Sequence, residues 1–135
     1  MGLDMSLYGE IHNYGIGDDK PMLDGYPLTK QTVELSYWRK HPNLHGYIVN
    51  TFAGGEDECQ RIELVDSDLE NIIEAIKNDK LPFTEGFFFG RSPQKGESEY
   101  EEMKEYDLEV FRKARKWLAT HNDKQFRSVV YQSSW

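Results

Sequence analysis

Gln31-Thr32-Val33-Glu34-Leu35-Ser36-Tyr37-Trp38-Arg39-Lys40-His41-Pro42-Asn43-Leu44-His45-Gly46-Tyr47-Ile48-Val49-Asn50-Thr51-Phe52 changes its hydrophobic period part-way along. Up to Lys40 the side chains alternate, with Val33, Leu35 and Tyr37 on one side and Thr32, Glu34, Ser36 and Trp38 on the other. Such β-branched and aromatic alternation predicts a strand. Pro42 then suits the first position of a helix, and Leu44, His45, Ile48, Val49 and Phe52 recur at helical spacing until Gly54-Gly55. A strand expected to be central thus feeds directly into a helix over Pro42 to Phe52.

Working outward, Leu3 to Tyr8 alternates as a short first strand, and the Gly- and Pro-punctuated segment from Gly9 to Lys30 predicts a long irregular loop. Gln60 to Val65 predicts a third strand. Asp66 or Ser67 is placed to cap a helix whose apolar face is Leu69, Ile72, Ile73 and Ile76. Leu81-Pro82 stops that helix, and Gly86 to Gly90 predicts a short buried strand. A long helix runs from about Glu97 to His121 on the stripe Tyr100, Met103, Tyr106, Val110, Ala114 and Trp117, and Phe126 to Trp135 closes the chain as a strand. The expected architecture is an α+β single domain over residues 1–135, a mixed sheet of about five strands packed with three helices in the order β-β-α-β-α-β-α-β.

The chain has 135 residues, enough for one core, and its three Trp, eight Tyr and seven Phe supply large apolar area despite 38% hydrophobic content. Sixteen Lys and Arg stand against 24 Asp and Glu, for a formal charge of -8. An acidic surface of this kind repels a phosphate backbone and disfavours nucleic-acid binding. Cys59 is the single cysteine, the opening residues show no signal peptide, and the longest apolar run is Phe87-Phe88-Phe89. These features predict a cytoplasmic protein with no membrane span.

The densest set of recognition-type side chains is Glu34, Tyr37, Trp38, Arg39, Lys40, His41 and His45, at a strand end and across a helix start. Strand ends in α/β sheets favour ligands, and a helix N-terminus favours anions. Arg39 offers a planar fork for phosphate or carboxylate, Trp38 a face for a flat ring, and Lys40 a point charge. The other reading makes Trp38 a half-buried sheet residue, pairs Arg39 with a carboxylate such as Glu34, and leaves the two histidines as surface or cap residues. Arg91, Ser92, Lys95 and Gly96 form a second anion-type loop. Cys59 with His45 suggests a nucleophile and base, although Glu56, Asp57 and Glu58 disfavour a thiolate. His12 with Asp18, Asp19 and Asp24 lacks a recognised metal-ligand spacing, so no metal or cofactor is expected. The acidic run Glu97, Glu99, Glu101, Glu102 and Glu105 suits a helix start and, alternatively, mimicry of nucleic acid.

Met1-Gly2-Leu3-Asp4-Met5, Tyr37-Trp38-Arg39-Lys40, His45, Asp57-Glu58-Cys59, Gly86-Phe87-Phe88-Phe89-Gly90 and Tyr131-Gln132-Ser133-Ser134-Trp135, in this order, resemble a group of short phage and prophage proteins of unknown function. The resemblance spans the chain. It departs in the glycine-rich stretch Gly9 to Gly25 and at Gly46-Tyr47. It implies an accessory product of an infected bacterium and carries no established activity. Some members bear the label phosphoglycerate kinase, which this chain does not support, having no Gly-rich loop followed by Lys-Ser or Lys-Thr.

Three functional expectations follow. The first is binding, without turnover, of a small anionic, nucleotide-like ligand through Glu34, Tyr37, Trp38, Arg39, Lys40, His45 and Arg91. The second is inhibition of a host protein through an acidic, aromatic-rich surface. The third is a hydrolase or transferase using His45 with a carboxylate such as Glu34 as acid and base. Exposed aromatics also leave a homodimer open.

Overall fold

The computed structural model describes residues 2–15, 20–86, 90–120 and 123–135. Strands β1 (Asp4–Asn13), β4 (Lys30–Trp38), β5 (Ile62–Leu64) and β6 (Gln125–Ser134) form one sheet in the order β4-β1-β6-β5, while β2 (Met22–Leu23) and β3 (Tyr26–Pro27) form a separate hairpin. Helices α1 (Pro42–Phe52), α2 (Asp66–Lys77) and α3 (Ser98–Ala119) complete an α+β single domain.

Every pairing in the sheet is antiparallel, so it is not the mixed sheet expected. The reason lies in the connections. α1 lies between β4 and β5, and α2 with α3 between β5 and β6, yet neither crossover joins strands that become neighbours and run parallel. β4 is an edge strand rather than a central one, which fits the exposure of Thr32, Val33, Glu34 and Tyr37 along it. Instead β1 and β6 occupy the centre, paired from Asp4 with Ser134 to Asn13 with Gln125.

Of the expected strand over 86–90, the described residues Gly86 and Gly90 form an isolated antiparallel bridge, and Phe87, Phe88 and Phe89 lie outside the described residues. In the segment read as an irregular loop, β1 continues to Asn13 and the hairpin forms at Asp24-Gly25, both with positive φ (51° and 85°). That backbone is the one a tight two-residue hairpin requires, and Asp-Gly adopts it readily. α1 has the expected limits. α2 starts at Asp66, and its cap residue is Val65 rather than Asp66 or Ser67: the Asp68 carboxylate accepts the Val65 N–H at 2.9 Å and holds the turn from inside.

On the helix side of the sheet Leu3, Met5, Leu7, Val129 and Tyr131 pack with Leu44, Ile48, Leu69, Ile72 and Phe111 in one core. Removal of these side chains from water is the main force holding the helices to the sheet. Gly9 is required by this packing, since a Cβ there would lie 2.6 Å from the Trp117 ring.

Candidate functional site

The start of α1 is built around His41. Its Nε2 lies 2.7 Å from Asp107 Oδ2 on α3, and its Nδ1 lies 2.8 Å from Ser92 Oγ. A carboxylate only accepts, so Nε2 carries the proton given to Asp107. The other Asp107 oxygen accepts the Trp38 indole N–H at 2.8 Å, and Ser92 Oγ accepts the Asn43 N–H at 3.0 Å. Ser92 thereby supplies the helix cap that His41 does not make with its own side chain.

Serine, histidine and aspartate in hydrogen-bonded sequence resemble a nucleophile, base and orienting acid. Ser92 is 2% exposed, however, and the adjoining cavity of about 30 Å³ touches His41, Asn43 and Asp107 without reaching Ser92. Such a cavity is about the size for a water, far below the roughly 300–1,000 Å³ of a ligand pocket. The constellation therefore ties β4, α1, the 91–97 loop and α3 together.

A second buried knot holds the middle of α1. His45 Nε2 lies 2.7 Å from Asp57 Oδ2 and Nδ1 meets the Tyr131 hydroxyl, while Asp57 Oδ1 accepts the Trp135 indole N–H at 3.1 Å. Burial first, and then the Asp57 charge, push the Tyr131 phenol well above its ordinary range, so it stays a donor to the imidazole. His45 is 1% exposed.

The sequence cluster is thus taken apart by the fold. Trp38 points inward, 4% exposed and stacked on Phe111 with centroids 5.9 Å apart, so its faces are occupied by protein. Tyr37 and Arg39 point the other way and share Asp4, by a hydroxyl hydrogen bond and an ion pair at 3.5 Å. Asp4 thus takes the carboxylate role proposed for Glu34, which stays exposed on β4. Lys40 lies against Gly90 and has no ion-pair partner among the described residues. His45 turns to Asp57 and Tyr131. Arg91 pairs with Glu97 at 2.9 Å, and Lys95 with Asp79 at 3.6 Å. The Cys59 carbonyl accepts from Gln132, and both ring nitrogens of His45 are engaged. Among the described residues no cluster of His, Cys, Asp and Glu suits a metal ion, and Asp18 and Asp19 lie outside them.

Asp107, Asp57 and Tyr131 escaped the sequence reading as partners of the histidines. Asp107 did leave a signal, because it sits at helical spacing between Met103 and Phe111 on the inward stripe, where an acid requires a partner. Asp57 and Tyr131 left none.

Two surface features remain. Met22, Leu23 and Tyr26 of the hairpin are 53%, 59% and 75% exposed, and Tyr14 nearby in sequence is also mostly exposed. Between β4 and α3 a groove of roughly 490 Å³ runs over Leu35, Val110 and Ala114 to Trp117. No helix among the described residues is long and apolar enough to cross a membrane. In comparisons with known proteins, the chain matches no family model, no curated protein and no solved structure.

Proposed function

We propose that the chain is a non-enzymatic accessory protein that binds a host protein in the cytoplasm of an infected bacterium, the setting implied by its resemblance to short phage proteins. The observation that carries this reading is the β2–β3 hairpin, which holds Met22, Leu23 and Tyr26 in water on an acidic protein. Large apolar side chains grouped on one exposed element favour a protein interface, and the tight Asp24-Gly25 turn brings Leu23 and Tyr26 opposite each other.

The test is affinity capture from bacterial lysate with the wild type and a Met22→Ser, Tyr26→Ser variant. The wild type retains a defined partner and the variant loses it, with thermal stability unchanged in both. Retention of the same partner by the variant removes the hairpin reading.

A small anionic, nucleotide-like ligand is the second reading, supported by Lys40, whose ammonium has no ion-pair partner among the described residues beside the start of α1. It must do without Trp38 as a stacking platform. Native mass spectrometry and a nucleotide thermal-shift screen test it, because a ligand bound only by the folded state raises apparent stability. A shift abolished in Lys40→Ala supports this reading. The acid–base reading of His45 has a carboxylate in place, Asp57 rather than Glu34, but a side chain 1% exposed offers little contact to a substrate.

A further inference from the structure

We infer that the free edge of β4 and the groove beside it form a docking site for an extended, basic peptide segment of another protein, which adds to the sheet as a fifth strand. The site is separate from the hairpin, and its occupancy stands or falls independently of that reading.

Among the described residues β4 pairs only with β1, so its outer edge presents unpaired backbone donors and acceptors along a nine-residue strand. The opposite edge, β5, has three residues. Edges are ordinarily blunted by shortness, proline, charge or a bulge, and of these β4 carries a bulge at Leu35, which interrupts pairing at that residue and leaves the stretches on either side of it to be paired. β4 has no proline and carries charge only at Lys30, which is turned to Glu10 at 2.9 Å, and at Glu34.

The groove gives the edge its selectivity. Leu7 pairs with Ser36 and Tyr8 with Glu34, so Leu35 is the extra residue of a bulge, and the slip leaves it on the groove floor with Val110 and Ala114. One end is closed by the 2.7 Å contact between the Ser36 and Tyr106 hydroxyls, the other by Trp117. From Tyr106 to Trp117 a helix rises about 16 Å, the span of about five residues of extended chain. A strand laid along β4 sends alternate side chains toward α3, so apolar residues at every second position meet the floor.

Charge selects among occupants. Glu34 on β4 and Glu109 on α3 flank the groove, and Lys113, the single cation among the described residues that line it, already pairs with Glu109 at 2.9 Å. Glu34 has no ion-pair partner among the described residues. A second copy of this chain would bring the same carboxylates and another charge of -8, whereas a basic segment finds opposite charge.

The experiment uses the full chain and a short capped peptide alternating lysine with valine, followed by titration and amide hydrogen exchange. Expected are slowed exchange in β4, quenching or shift of Trp117 fluorescence absent from Trp117→Phe, and affinity weakened up to about fivefold by Glu34→Lys. The same peptide N-methylated on alternate amides should bind at least about tenfold more weakly, because methylation removes the strand-pairing donors. Equal binding by the N-methylated peptide, equal binding by a glutamate–valine peptide, or unchanged β4 exchange at saturating lysine peptide each overturns the inference. A dimer in sedimentation whose β4 amides are protected without peptide also overturns it, in favour of a second copy. Tyr26→Ser leaves peptide binding intact, which separates this site from the hairpin.

Discussion

Around the first turn of α1 the chain buries its hydrogen-bonding side chains, whereas the β2–β3 hairpin holds large apolar side chains in water. His41, Ser92, Asp107 and the Trp38 indole N–H satisfy one another inside, and Met22, Leu23 and Tyr26 have no comparable cover. Residue type is therefore a poor guide to role in this molecule. Groups with catalytic reputations serve packing, and groups usually spent on packing face outward.

Asp107→Ala is the strongest way to break this contrast. It leaves His41 and Trp38 without their buried acceptor, and a loss of about 3–5 kcal/mol in urea denaturation is expected. If the loss is within 0.5 kcal/mol, roughly the range for a surface change, the constellation does not hold α1. Gly9→Ala comes next, at about 1–3 kcal/mol, because the new methyl group meets the Trp117 ring.

Glu10→Gln sharpens the contrast on the sheet's other face. Burial works to raise the Glu10 pKa, but Lys30 and Arg61 outweigh it and hold the carboxyl below its ordinary 4.5. A folded-state value below the unfolded one means stability that is present above 4.5 and lost as pH falls through the folded value. The wild type should therefore exceed Glu10→Gln by about 1–3 kcal/mol at neutral pH, with the gap closing in acid. A constant gap from neutral to acid pH would mean the two cations contribute nothing through charge. Tyr26→Ser has the smallest expected effect, within about 0.5 kcal/mol, since the ring is 75% exposed. A larger loss in thermal unfolding would show the hairpin to be part of the fold's own packing.

Much of the fold was legible because period and punctuation were local. The 3.6-residue stripe and Pro42 set α1, and the apolar face of Leu69, Ile72, Ile73 and Ile76 set α2. Strand partners were not legible, since edge and centre depend on contacts far away in sequence. β4 has the stronger alternation, yet β1, with Gly9 and Glu10 in it, takes the middle of the sheet. The site was read one residue out of phase. Tyr37 and Arg39 share the outward side as alternation requires, but placing Trp38 with them as a ligand platform set aside the period-two rule. His41, weighed as a cap, proved to be the hub, because its acceptor is 66 residues away on α3.

The central pairing of β1 with β6 also bears on how the protein is made. Asn13 and Gln125 touch across 112 residues of chain, so β1 is synthesised well before the strand it pairs with, and the sheet cannot close until β6 has followed. Until then β1 offers an open edge, and closure must overcome the entropy of joining distant segments, which slows folding relative to a chain of similar helix content built on local contacts.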